Sequence, residues 1–441
     1  MTFEQAQHLL YSLIDYEKKT VALYYGPPAY DLEAFRAFLH ELGDPHEHVP
    51  FPILVAGTKG KGSTAAMLSS VLREAGHRVG LFTSPHLRTV LERFQVDGEP
   101  MREHEFAGLI EELWPLVEAR HTTGYRTVFE ILTAMALLHF IRQSVDVSIF
   151  EVGVGGRLDS TNVVEPRLSL ITSISLDHTD LLGSTVDAIA QEKAGIIRGG
   201  RLAFSSPQNP TARAVIEQVS SALGAELSLV GRDVDYQLQS QNLRGQRFRV
   251  VDWRGTRHEF QLPLLGRFQL ENACLAFSAL DAVRRNGLAI SEDALRRGFA
   301  RVEWPGRLQL ISERPYLVLD GAHNPASARA LAECINELIP SRRRILVMGI
   351  MNNKDVEGVL DELAPHMTTL IATRADTPRA LDPDELAALG RMRMAEVEVA
   401  EDAASALKRA RELAGEEDLI LVTGSLYLVG NVLELLEREG R

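Results

Sequence analysis

Ile53-Leu54-Val55-Ala56-Gly57-Thr58-Lys59-Gly60-Lys61-Gly62-Ser63-Thr64 is the stretch from which the fold of this chain is read. An apolar run ends in a glycine-rich turn that carries lysine, and an Ala/Leu/Met-rich helical pattern follows from Ala65 to Glu74. Glycine lets backbone N–H groups turn inward, a helix N-terminus adds partial positive charge, and Lys61 supplies a full one. Gly57, Thr58, Gly60, Lys61, Gly62 and Ser63 together form a cradle for nucleotide phosphates, with Ser63 or Thr64 near any magnesium ion. The spacing is tighter than the common G-x-x-x-x-G-K-[ST] loop, running Gly57-x-x-Gly60-Lys61-Gly62-Ser63. A glycine-rich turn that binds nothing does not explain why Gly and Lys coincide between strand and helix.

The chain has 441 residues, too many for one ordinary domain. Its 47 basic against 60 acidic side chains argue against a nucleic-acid partner, although a cleft on an acidic protein is able to be locally positive. Two cysteines, Cys274 and Cys334, lie in apolar helical patterns and read as core residues in a reducing compartment. No apolar run approaches the ~18 residues that span a membrane, and the start of the chain lacks a charged region followed by an apolar core. A cytoplasmic protein with no membrane partner is expected, and a monomer.

Along the chain, residues 3–18 read as an amphipathic helix, followed by a turn around Gly26-Pro27-Pro28 and a helix over 32–42. Strands are predicted at Val79–Thr83, Val147–Val152 and Leu168–Ile174, with a helix through Phe129, Leu132, Met135, Leu138 and Phe140. This alternation predicts a mostly parallel sheet with helices on both faces and ligands at the carboxyl ends of its strands. Residues 225–262 read as an antiparallel meander, and a helix over 270–285 follows. Trp304-Pro305-Gly306 reads as a linker or hinge. Beyond it the alternation restarts at 316–320, 345–348, 369–373 and 418–423, so domains are placed at 1–299 and 300–441.

Further chemistry falls on loops that follow strands. Thr83-Ser84-Pro85-His86-Leu87 offers a hydroxyl and an imidazole on a proline-fixed turn. Glu151, before Gly153-Val154-Gly155-Gly156-Arg157-Leu158-Asp159-Ser160, suits a hard oxygen ligand for magnesium, or pairs with Arg157. His178, in Asp177-His178-Thr179, is a metal ligand, a general base or neither; its strand is expected beside that of Glu151. Lys193 on a helix is ordinarily solvated, but near phosphates it is a cation, and carbamylated it is a carboxylate. In the second domain Asp320-Gly321-Ala322-His323-Asn324-Pro325 ends a strand and opens a helix, with Asn324 as N-cap. Thr423-Gly424-Ser425-Leu426 repeats that design.

These motifs, in this order and over the chain from about residue 20, closely resemble the folylpolyglutamate synthase/dihydrofolate synthase family of the Mur ligase superfamily. The resemblance implies a P-loop Mur-ligase-type α/β domain with a smaller C-terminal Rossmann-like α/β domain. It implies an ATP-dependent ligase that joins L-glutamate to folate, and to dihydropteroate, through an acyl phosphate. It places Ser84, Glu151 and His178 on one magnesium ion, and a carbamylated Lys193 at a second. Asn272, Arg307 and Asp320 are implied nucleotide contacts, and Lys61, His178, Lys193 and His323 catalytic ones. Thr127, Val128, Phe129, Glu130, Leu158, Asp159 and Ser160 are implied to line the pterin site, and His323 and Ser425 to lie near the incoming glutamate. Lys59 departs from the family, whose loop commonly has Asn there. The rivals are another Mur-type amino-acid ligase, a P-loop kinase or NTPase, and a non-catalytic nucleotide-binding module.

Overall fold

A computed structural model describes residues 1–15, 30–119 and 126–440. Eight strands form the first sheet: β1 (Pro52–Ala56), β2 (Val79–Phe82), β3 (Phe94–Val96), β4 (Glu99–Pro100), β5 (Val147–Glu151), β6 (Leu168–Ile171), β7 (Leu202–Ser205) and β8 (Glu226–Leu229). Their order is β4-β3-β2-β5-β1-β6-β7-β8, parallel except for the β2–β3 and β3–β4 pairings. The apolar run of β1 follows from its central place. Ile53 and Val55 face one core, with Met67, Leu68 and Val71 of the helix Lys61–Glu74 and Leu275 of the helix Arg267–Arg285. Leu54 and Ala56 face the other, with Ile131 and Met135 of the helix Val128–Arg142. A strand covered on both faces has no polar side to show.

A second sheet, antiparallel, is built from β9 (Asp235–Asn242), β10 (Gly245–Val251) and β11 (Arg257–Leu262) in the order β11-β10-β9. The third has the order β12-β13-β17-β14-β15-β16. Its strands are β12 (Gln309–Glu313), β13 (Tyr316–Leu319), β14 (Arg344–Met348), β15 (Thr369–Ala372), β16 (Glu396–Val399) and β17 (Leu419–Thr423). Only β12 runs antiparallel there, and two apolar clusters cover the two faces.

Three expectations change. The first helix covers Phe3–Ser12 only: Leu13 is extended, and Ile14 makes a parallel bridge to Thr127, whose neighbour Val128 donates to Ile14 O. Residues 16–18 and the turn at Gly26 to Pro28 lie outside the described residues. The meander begins later than 225, because Glu226–Leu229 pairs in parallel with β7 as the edge of the main sheet. The strands carrying Glu151 and leading to His178 are not neighbours, since β1 lies between β5 and β6. That order seats the phosphate loop between the two, with chemistry on either side.

Candidate active site

The carboxyl ends of both parallel sheets open onto one cleft of about 1390 Å³. On its floor, Gly60 begins the helix Lys61–Glu74 with φ +90°, a left-handed conformation that favours glycine, and a Cβ there would collide with Asn272 Oδ1. A Cβ on Gly62 would stand 2.7 Å from the Trp304 ring and 3.3 Å from Glu151 Oε2. The loop is tied to the segment after β6: Thr58 N donates to Ser173 O at 2.9 Å, and Thr58 Oγ1 donates to Ser175 O at 3.0 Å. Gln269 Nε2 donates to Ser63 Oγ at 3.3 Å, and Asn272 Nδ2 to Gln269 Oε1 at 3.0 Å. The loop is therefore held in shape by hydrogen bonds from the protein itself.

Glu151 ends β5 directly opposite Val55 of β1. Its Oε2 accepts from Ser84 N at 3.1 Å, and Oε1 lies 4.0 Å from Lys61 Nζ. Burial raises its pKa, and Lys61, the Ser84 N–H, Arg307 and Arg93 oppose that rise. Lys193 is buried behind the loop rather than in the cleft lining, and its Nζ donates to Gly57 O at 2.9 Å. Burial, reinforced by Lys61, lowers its pKa to about 7. The solvated lysine that a helix ordinarily carries is here a partly neutral amine.

His178 lies in the left-handed region at φ 49° and faces the water of the cleft between two walls of protein. That enclosure, with the cations of Lys354, Lys193 and Lys61, lowers its pKa to about 4 against the pull of Asp177. The ring is neutral at pH 7 and free to act as a ligand or acceptor. Burial favours the neutral form of Asp177, but His178, Lys354, His323 and Lys61 outweigh it and bring its pKa to about 2. No group of three or more His, Cys, Asp and Glu side chains forms a metal cage among the described residues. One carboxylate, one imidazole and a serine fit magnesium, which takes few protein ligands and fills its shell with phosphate oxygens and water.

Deeper in, Phe129 stacks obliquely on Phe82, with ring centres 5.7 Å apart. Thr127 and Glu130 cap the helix Val128–Arg142 reciprocally, and Arg126 pairs with Glu130 at 3.0 Å. Asp159 accepts from Val154 N at 2.9 Å and from Thr161 N and Oγ1 at 3.0 and 2.5 Å. Ser160 Oγ bonds Thr133 Oγ1 at 2.8 Å. Val128 and Leu158 complete this apolar end of the cleft. Glu130 and Asp159 thus line this end of the cleft while holding its walls in shape.

The third sheet supplies the facing wall. Asp320 accepts from Leu308 N and Ala322 N, each at 2.8 Å; burial raises its pKa and Arg307 opposes. His323 Nδ1 donates to Gly321 O at 2.9 Å, which leaves Nε2 as the acceptor of a ring whose pKa burial and Lys354 lower to about 4. Asn324 and Ser425 cap the helices Pro325–Leu338 and Leu426–Arg438. Among the lining residues that were not anticipated are Lys354 and Arg379, from the loops after β14 and β15. Those loops are stitched by Asn352 N to Arg379 O at 2.9 Å and Leu381 N to Ile350 O at 2.8 Å. The buried Nε of Arg379 has no hydrogen-bond partner among the described residues. Asn352-Asn353-Lys354-Asp355 follows a parallel strand as the recognised motifs do, and that position was the available signal.

Residues 55–280 match the Mur ligase middle domain, and residues 306–426 match the Mur ligase, glutamate ligase domain. The dihydrofolate synthase/folylpolyglutamate synthase of Bacillus subtilis is 35% identical over 411 residues, covering 92% of this chain and 95% of its own. A probable bifunctional folylpolyglutamate synthase/dihydropteroate synthase of Halobacterium salinarum is 38% identical over 407 residues. This chain spans about half the length of that relative, 49%. The structure of E. coli FolC in complex with DHPP and ADP superposes with a TM-score of 0.86 at 31% identity, covering 100% of this chain and 99% of the other. The phosphate loop, the facing second domain and these likenesses agree: the chain belongs to the dihydrofolate synthase/folylpolyglutamate synthase family of Mur ligases.

Proposed function

We propose that the protein is an ATP-dependent ligase that adds L-glutamate to folates and to dihydropteroate. The observation that carries this is the two-walled cleft, with Lys61, Glu151 and His178 on one side and His323, Lys354, Arg379 and Ser425 on the other. A carboxylate is a poor acyl donor because its oxygen leaves badly. Transfer of the γ-phosphoryl group of ATP to it makes an acyl phosphate, and attack by the glutamate amine forms the amide and releases phosphate. Lys61 offsets the negative charge of two anions brought together. Neutral His323, held through Nδ1, presents Nε2 to take a proton from the attacking amine. Lys354 and Arg379 suit the carboxylates of the incoming glutamate. Thr127, Val128, Phe129 and Leu158 shape the apolar end for the pterin, and Asn272, Arg307 and Asp320 the nucleotide end.

Magnesium, when bound, supplies charge neutralisation and Lewis acidity at the phosphates. Ser84, Glu151 and His178 would hold one ion. The neutral fraction of the Lys193 amine is the form that reacts with carbon dioxide, and the carbamate would serve a second ion. Domain closure about residues 303–306 would exclude water from the acyl phosphate. One chain supplies both walls, which supports a monomer, and two free buried cysteines support a cytoplasmic location.

The experiment is phosphate release from ATP with glutamate, adding tetrahydrofolate or dihydropteroate separately. Turnover with both supports the bifunctional reading, and turnover with tetrahydrofolate alone the polyglutamating one. No stimulation by either overturns the folate reading.

A further inference from the structure

The helix Arg267–Arg285 carries more cleft-lining residues than its contacts to the phosphate loop require. Asn272 sits against Gly60 of the phosphate loop, and Phe268 and Glu271 of the same helix line the cleft beside it. Phe268 packs toward Cys334 of the helix Pro325–Leu338, and Ala330, one turn before Cys334, also lines the cleft. An aromatic face and a small apolar residue suit a planar heterocycle. Glu271, three residues after Phe268 and so on the same helix face, lines the same end. Its Oε1 accepts from Tyr236 Oη of β9 at 3.2 Å, and no other partner engages the carboxylate among the described residues. A half-buried carboxylate oriented by the antiparallel sheet is an acceptor waiting for a donor, and the phosphate chemistry does not use it.

We propose that Glu271, oriented by Tyr236, accepts a hydrogen bond from the 6-amino group of the nucleotide base and so selects adenine over 6-oxo purines. Adenine presents a donor at that edge, whereas guanine and hypoxanthine present an oxygen, which a carboxylate repels. The inference rests on the proposed nucleotide-dependent function of this cleft. It gives the small antiparallel sheet a part in substrate choice, with Tyr236 as a positioning residue.

The test is competition of ADP and IDP against a fluorescent ADP analogue on the full chain, for the wild type, Glu271→Gln, Glu271→Ala and Tyr236→Phe. A charged hydrogen bond corresponds to a preference for ADP of about tenfold to a hundredfold in the wild type. Both Glu271 variants are expected to bring that ratio within about threefold of unity, and Tyr236→Phe to lower it part-way. A wild-type ratio near one overturns the proposal. So does a ratio unchanged in Glu271→Ala, including the case where both affinities fall together, as damage to the fold alone would produce. Phosphate release with folate and glutamate is scored separately, so loss of the ligase reading leaves the base-selection result standing on its own.

Discussion

Lys354 Nζ stands 3.7 Å from Asp177 Oδ1, and the pair joins the two walls of the cleft. Asp177 follows β6 of the first sheet, and Lys354 follows β14 of the third. Both side chains are largely shielded, at 20% and 15% exposure, so the attraction is stronger than that of a solvated surface pair. A dicarboxylate entering this end of the cleft meets a cation already held in place.

Replacing that cation should therefore separate glutamate from nucleotide. Lys354→Ala is expected to raise the KM for glutamate at least tenfold and to change the KM for ATP by less than threefold. Steady-state kinetics with each substrate varied gives the answer, and equal effects on both constants would remove the assignment.

Lys61 acts on charge that grows during phosphoryl transfer. Lys61→Ala should lower kcat by about a hundredfold to a thousandfold. ADP affinity should fall much less, and titration calorimetry is the companion measurement.

The pH behaviour of nucleotide binding should carry the mark of Lys59. Burial depresses its pKa to about 8, with Asp177 opposing, so in the free protein the amine loses its proton as pH rises through about 8. Phosphate oxygens favour the ammonium and raise that pKa in the complex. Affinity for ATP should thus weaken above pH 8, and binding at pH 8.5 should take up protons. Calorimetry in buffers of different ionisation enthalpy measures the uptake, and Lys59→Gln should remove most of it.

Lys193 offers a direct chemical readout. With a pKa of about 7, its amine should react with carbon dioxide at neutral pH. Intact-mass measurement in bicarbonate should show a labile gain of one carbon dioxide that Lys193→Ala lacks. Activity of the wild type should fall when bicarbonate is removed, and an unchanged rate with an unchanged mass would discard the carbamate.

The loop Thr83 to Leu87 couples the domains by packing. A Cβ on Gly430 would collide with Leu87 O, and Arg88 pairs with Glu437 on the same helix. Gly430→Ala should destabilise the protein by about 1–3 kcal/mol, seen in thermal unfolding.

How much of this was legible in the sequence depends on how local the information is. Gly60-Lys61-Gly62-Ser63, Glu151 and Asp320 to His323 announce themselves because each motif sits where a strand ends. The insertion of β1 between β5 and β6 is not written in any local spacing, since strand order is settled by packing between distant segments. The same holds for Tyr236 reaching Glu271, 35 residues away across two elements. The role of Lys193 stays open in the sequence because a helical lysine looks alike whether water or Gly57 O receives it. Arg379 carries no motif at all; only the stitching of two loops shows that it belongs to the site.

Trp304 lies over Gly62, at the joint between the linker and the phosphate loop. Of the other two tryptophans, Trp114 bonds Glu118 and Trp253 bonds Asp281, both away from the cleft. The protein therefore contains an optical probe of its own: a filled loop and a moving linker both change the surroundings of one indole. Its ultraviolet emission should follow nucleotide arrival and domain closure in real time, without any label.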